Sequence, residues 1–249
     1  MKNYYVFLVF TFIILINSCK EETGNNIKPW SENPRYWQYK GKPALLLGAT
    51  DNDNLFQNNN VESHLDSLKN FGGNYIRNTM SDRDPGNIYA FAHTSQGKYD
   101  LDKWNNEYWQ RFEKLLKLAE ERDIIVQIEI WDRFDHSRDP WLTDPYNPKN
   151  NINYTYSEAR LDSVYPLHPG NNKQPFFFTV PHLQNNEVLL KYQKAFVEKL
   201  LSISLNYGNV LYCIDNETSG VEEWATFWAG FISDNSKNKE IYITQMWDD

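Results

Sequence analysis

The chain has 249 residues, 41% apolar and 23% charged, ordinary globular usage that permits a sizeable core and argues against a disordered tail. Lys plus Arg number 25 against 33 Asp plus Glu, and the resulting net charge of −8, with no basic block, is a poor match for nucleic acid or an anionic bilayer. Aromatic residues make up 16% and Asn occurs 29 times, a pairing of flat faces with short amides that suits a neutral, hydroxyl-rich ligand.

Residues 1–18 carry one charge, Lys2, and an apolar run from Tyr4 to Ile16 that is too short to span a bilayer and has the length of a secretory signal. Ile16-Asn17-Ser18-Cys19 resembles the lipobox of bacterial lipoproteins, which implies diacylation of Cys19 and a lipid anchor in the membrane. Lys20-Glu21-Glu22 resembles the short acidic export signal of some such lipoproteins, so the expected location is the outer membrane, facing the cell exterior. Residues 19–32 read as a tether and residues 33–249 as the folded domain.

Arg35 to Tyr39, a Lys40-Gly41-Lys42 turn and the run after Pro43 predict a hairpin leading into a first buried strand, Leu45-Leu46-Leu47-Gly48-Ala49. Val61, Leu65 and Leu68 are spaced for a helix that Asn60 caps and Gly72 ends, followed by a second strand over 73–80. Asp102 is expected to cap a long helix with Trp104, Tyr108, Phe112, Leu115, Leu116 and Ala119 in one stripe. The third strand, 124–131, places Val126, Ile128 and Ile130 on one face and Gln127, Glu129 and Trp131 on the other. A polar and aromatic face on a parallel strand is natural in a barrel whose mouth holds a ligand.

Residues 132–184, rich in Pro, Asn, Tyr and Phe, have no regular period, and loops of this length usually serve function. Asn185 or Asn186 then caps a helix burying Val188, Leu189, Tyr192, Phe196, Leu200 and Leu201. A fourth strand over 209–214, a helix over 221–233 and a fifth strand over 241–247 complete an α/β pattern with a parallel sheet.

In such folds functional residues collect at the carboxyl ends of the strands. Those ends offer Asp51, Asp53 and Asn54, then Arg77 and Asn78, Trp131 and Asp132, Asn216 and Glu217, and Trp247 and Asp248, with His136 beside Asp132 and Asp135. Glu129 lies deeper and is expected to bond Arg77 or line the floor, while Cys213, Trp104, Trp109, Trp224 and Trp228 read as core. The segment from Asp51 to Asn54 lacks the Gly and terminal Glu of an EF-hand, and no two His have ligand spacing, so neither metal nor cofactor is assigned.

Tyr212-Cys213-Ile214-Asp215-Asn216-Glu217 resembles the fourth strand of clan A glycoside hydrolases, where an Asn-Glu pair carries the acid/base. Asn33-Pro34-Arg35-Tyr36 with Gly41-Lys42-Pro43 resembles the start of the apiosidase-like families of that clan, and Arg77 stands where the clan has an arginine on strand two. This resemblance, over 33–249, implies a (β/α)8 TIM-barrel type fold and retaining hydrolysis of a polysaccharide or oligosaccharide by two carboxyl groups about 5 to 5.5 Å apart. It implies Glu217 as acid/base, its pKa raised by the partner carboxylate and by partial burial, Asn216 on the sugar hydroxyl next to the anomeric carbon, and Arg77 fixing the ionised partner. Trp131, Trp247 and Trp141 would offer stacking faces. The clan's nucleophile is a Glu at the end of strand seven, and only five strands are counted here, so the barrel is expected to be incomplete by roughly three βα units. The alternative is a non-catalytic, surface glycan-binding lipoprotein.

Overall fold

The computed structural model describes residues 26–171, 174–218 and 220–247; Cys19, the signal segment, most of the tether and Asp248 lie outside the described residues. The described part opens with a small antiparallel sheet of β1 (Lys28–Trp30), β2 (Asn33–Tyr39) and β3 (Lys42–Ala44). Its turn uses Lys40 and Gly41, both left-handed at φ 49° and 76°. Lys28 to Trp30, read as tether, forms a strand because β2 offers Gln38 and Trp37 as ladder partners.

The expected first buried strand, residues 45–49, is absent. Leu45 and Leu47 are exposed by 61% and 54%, and the segment runs beside the next strand held by Asn74, whose backbone N donates to Leu47 O at 2.8 Å and whose side chain adds two bonds. Asn74 Nδ2 donates to Leu45 O at 3.0 Å, and Asn74 Oδ1 accepts from Leu47 N at 2.8 Å. Gly48 passes so close to that strand that a Cβ would lie 1.6 Å from the Tyr75 carbonyl oxygen.

Helix α1 (Val61–Asn70) buries Val61 and Leu65 and runs out at Phe71, after which Gly72 takes φ 85°. It leads into β4 (Tyr75–Thr79). A hairpin of β5 (Phe91–His93) and β6 (Tyr99–Trp104) follows, and it holds Asp102 and Trp104, which were expected in the next helix. Helix α2 (Asn106–Glu121) instead starts at Asn105, whose side chain accepts from Glu107 N, and its stripe of Tyr108, Phe112, Leu115, Leu116 and Ala119 is buried as the spacing predicts.

β7 (Ile125–Asp132) is the central strand. The long segment after it holds only short helices, among them α3 (Arg138–Trp141) and α4 (Tyr156–Ala159). Asn186, not Asn185, caps α5 (Glu187–Ser204), since Asn185 is left-handed at φ 46°. β8 (Val210–Asn216), α6 (Glu222–Asp234) and β9 (Ile243–Thr244) complete the chain. The predicted fifth strand thus shrinks to two half-buried residues, because only β8 lies beside it.

The main sheet is parallel with order β4-β7-β8-β9, so the fold is α/β with four strands in this sheet among the described residues. The apolar helix stripes pack on one face, where Phe112, Leu116, Val126, Ile128, Phe196, Leu200 and Trp228 share one core. Ile27 and Tyr39 of the small sheet cover Ile125 and Leu211 at the amino ends of β7 and β8. The opposite, carboxyl ends are left to form a cleft. Among the described residues no helix is long and apolar enough to cross a membrane.

Candidate active site

The cleft holds about 500 Å³ and is bounded by residues 48–50, Asp53, Tyr75, Arg77, Thr79, Arg83, Glu129, Phe134, Asn216 and Glu217. Its floor follows from strand register: Thr79 of β4 lies opposite Glu129 of β7, and Glu129 lies opposite Cys213 of β8. The period-two alternation therefore brings Arg77, Thr79, Gln127 and Glu129 to the face away from the helices.

Glu129 is fully buried and its carboxylate is saturated. Arg77 Nε donates to Oε1 at 2.6 Å and Gln127 Nε2 to the same oxygen at 3.1 Å. Arg77 Nη2 and Thr79 Oγ1 donate to Oε2 at 3.3 and 2.7 Å. Four donors leave this carboxylate no free lone pair with which to attack, so it serves to fix Arg77, as its depth in the sequence pattern suggested. Arg77 Nη2 also donates to Asn216 Oδ1 at 2.8 Å, which turns the Asn216 amide NH2 away from Arg77. Tyr75, with its hydroxyl donating to Gln127 Oε1 at 3.0 Å, completes the floor, and burial pushes its pKa up to about 12.

Glu217 follows Asn216 at the carboxyl end of β8 and is exposed, with backbone φ 35°. The partial burial expected of it is absent: Asn216 and Thr218 on either side are buried, and Glu217 alone faces solvent.

The second wall is organised by Arg83, which sequence reading missed. Its Nη2 pairs with Asp53, and its Nη1 with Asp132 and with Asp135, the last at 2.9 Å. Its guanidinium also faces the Phe134 ring, 5.5 Å from the centroid. No local motif marks Arg83; the signal was the scatter of three aspartates over two loops. Phe134, also missed, supplies the aromatic face in the cleft.

The remaining candidates part company. Asp53 lies in the cleft on Arg83, whereas Asp51 lies outside its lining, 3.4 Å from His64 Nδ1. Asn78 is fully buried on the other face of β4, where its Oδ1 accepts from Leu55 N at 2.9 Å and its Nδ2 donates to Asn54, so it shapes a loop and binds no ligand. Trp131 is not a stacking face: it is buried against Phe176, Phe196, Trp224 and Trp228. Trp141 is likewise buried, its Nε1 donating to Asp162 O at 3.1 Å. Asp132 is buried on Arg83, and its pKa is pushed up to about 7 by burial first and by Asp135 second. His136 is buried too, bonded to Asp144 at 2.5 Å and stacked on Phe176 at 3.8 Å, so it belongs to the packing under the loop rather than to the cleft. Trp247 is half-exposed beside Thr218 without lining the cleft. Cys213 is buried, as expected of a core filler, and burial pushes its thiol up to about 11.

Comparison with solved structures places the fold. A glycoside hydrolase family 5 mannosidase from Rhizomucor miehei superimposes with a TM-score of 0.57 at 14% identity, over 88% of this chain and 55% of that one. A glycoside hydrolase family 5 protein from Bacteroides vulgatus gives 0.52 at 14% identity, over 89% and 40%. An endo-1,4-beta-mannanase from Rhizomucor miehei gives 0.53 at 12% identity, over 84% and 58%. The chain thus shares its α/β fold with these glycoside hydrolases and spans about half the length of these neighbours, or less. No curated protein matches its sequence. Residues 84–245, which hold β7, β8, Glu129 and the Asn216-Glu217 pair, match the family described as Domain of unknown function (DUF6298), and the chain belongs to that family.

Proposed function

We propose that this protein is a glycoside hydrolase of the retaining, two-carboxylate kind, with Glu217 as its acid/base. The supporting observation is the exposed Glu217 carboxylate at the carboxyl end of β8, beside an Asn216 amide held by the Arg77–Glu129 pair in an open cleft. Protonated, Glu217 gives its proton to the leaving oxygen; ionised, it takes one from the incoming water. Asn216 presents its amide to the hydroxyl beside the reacting carbon, and Phe134 offers an apolar face to the ring.

The nucleophile lies outside the described residues in this reading. The cleft carboxylates described here are Asp53, Glu129 and Glu217, and Arg83 occupies the first while four donors occupy the second. The four-stranded sheet is then one part of an incomplete (β/α)8 barrel, a reading supported by the greater length of the structural neighbours. The same scarcity of free carboxylates favours a second reading, a non-catalytic glycan-binding protein. We place the molecule on the outer membrane, lipidated at Cys19, on the strength of its leading sequence; palmitate-analogue labelling that persists in Cys19→Ala overturns this. A screen of plant and host glycans, mannans first, with the full-length gene product tests the activity. No released sugar, or release unchanged by Glu217→Gln, removes the hydrolase reading, and binding without release supports the second.

A further inference from the structure

We propose that Arg133 is a positioning residue for Glu217, an inference that rests on the acid/base reading of Glu217. Arg133 is the first residue past β7 and is 2% exposed. Burying a guanidinium costs free energy that an apolar side chain of similar length would not, so its presence calls for a local reason. That reason is the end of β8, where the Asp215 carboxylate attracts the guanidinium, together with the loop that follows. Arg133 Nε donates to Thr218 Oγ1, and the guanidinium lies over the Phe177 ring, 4.0 Å from its centroid. Thr218 Oγ1 accepts a second bond from Gly220 N at 2.9 Å, while Thr218 N donates to Met246 O at 3.3 Å. The fit is close: a Cβ on Gly220 would fall 2.3 Å from Arg133 Nη2 and 2.9 Å from Thr218 Oγ1.

The residues around Glu217 are thus tied on every side. Asp215 accepts from Trp224 Nε1 at 3.0 Å and from Gln245 Nε2 at 2.9 Å, Asn216 accepts from Arg77, and Thr218 accepts from Arg133. Glu217 itself takes a left-handed backbone, φ 35°, which a residue with a Cβ holds only when its surroundings dictate it. A general acid has to meet its oxygen within about 2.6 to 3.2 Å. Arg133 supplies the side-chain tie on the C-terminal side of Glu217, beside the backbone bond from Thr218 N to Met246 O, and so helps fix where that carboxyl points without touching the ligand.

Two measurements on the full-length protein test this. Hydrogen exchange of the peptide covering 215–220 should quicken about tenfold in Arg133→Met and in the near-isosteric Thr218→Val, with no further gain in the double variant and unchanged protection in α2 and β7. Arg133→Lys should restore part of the protection. Unchanged exchange at 217–220 in both single variants overturns the proposal. The second measurement compares a phenyl glycoside, whose departure needs a proton, with a dinitrophenyl glycoside, whose departure does not. Arg133→Met should lower kcat/KM, which reports only the steps up to departure of the leaving group, by about 10- to 100-fold for the first and leave it nearly unchanged for the second. Equal losses on both overturn a positioning role, since general damage would produce them. A wild type that cleaves neither overturns the acid/base reading itself and with it the catalytic meaning of the tie, whereas the exchange result still decides whether Arg133 holds the loop.

Discussion

Arg77 Nη2 reaches Asn216 Oδ1 at 2.8 Å across 139 positions of sequence, and the same guanidinium grips Glu129 on the strand between them. One cation thereby links β4, β7 and β8 at the floor of the cleft. Removing Glu129 leaves the Arg77 guanidinium without its buried partner. Because the Arg77 side chain is 41% exposed and keeps Asn216, Glu129→Ala should cost about 1 to 3 kcal/mol, mostly from the Thr79 and Gln127 donors left without an acceptor. Urea unfolding measures this, and a loss near zero would show that the pair contributes little to the fold.

Glu217 is exposed and makes no packing contribution, so Glu217→Gln should leave stability within about 0.5 kcal/mol. Glycan release should nevertheless fall by about 10²- to 10⁴-fold with affinity retained. Product analysis beside a binding titration separates the two effects.

Two aromatic residues at the end of β7 should behave in opposite ways. Trp131→Ala opens a cavity among Phe176, Phe196, Trp224 and Trp228 and should cost about 3 to 5 kcal/mol. Phe134→Ala, in the cleft lining, should change stability little and weaken glycan binding by about 3- to 10-fold. Thermal melts and affinity electrophoresis on both variants check this, and the reverse outcome would return Trp131 to the ligand.

The pH dependence of stability has a definite sign. Asp132 titrates near 7 in the folded chain and near 3.9 when unfolded, so between those values the folded state holds more protons. Stability from this group therefore falls as pH rises from about 4 to 7 and is level above. Asp135 and Asp215, also raised by burial, add to the same slope. Urea midpoints measured from pH 4.5 to 8 should decline, and Asp132→Asn should flatten part of the decline; an unaltered slope in that variant would assign the effect elsewhere.

Buried parallel strands announce themselves as apolar runs, and β4, β7 and β8 were legible for that reason, as were α1, α2, α5 and α6 from their stripes. The same rule misled at residues 45–49, where the apolar run lies against an Asn74 amide and turns Leu45 and Leu47 outward. Alternation placed Glu129 correctly but failed two residues on: Trp131 packs against Phe196 and Trp228, from the helices on the other face. Asp102 looked like a helix cap because the hairpin that claims it pairs with residues a turn earlier in the chain. Glu217, Asn216 and Arg77 could be read from strands because strand polarity alone brings them together, whereas Asp53 was reached from the end of a first strand that does not form. Arg83 could not, since its importance depends on carboxylates at 53, 132 and 135 that only the folded loops assemble.

Gly48 sets a limit on how this cleft can diversify. Any side chain there would run into the Tyr75 carbonyl, so that stretch of rim is closed to mutation whatever ligand is selected for. The floor is nearly as constrained, because Glu129 satisfies four donors at once. Relatives that differ in ligand preference should therefore carry their differences around Thr50, Asp53 and Phe134, on the loops that frame the opening, over an unchanging base.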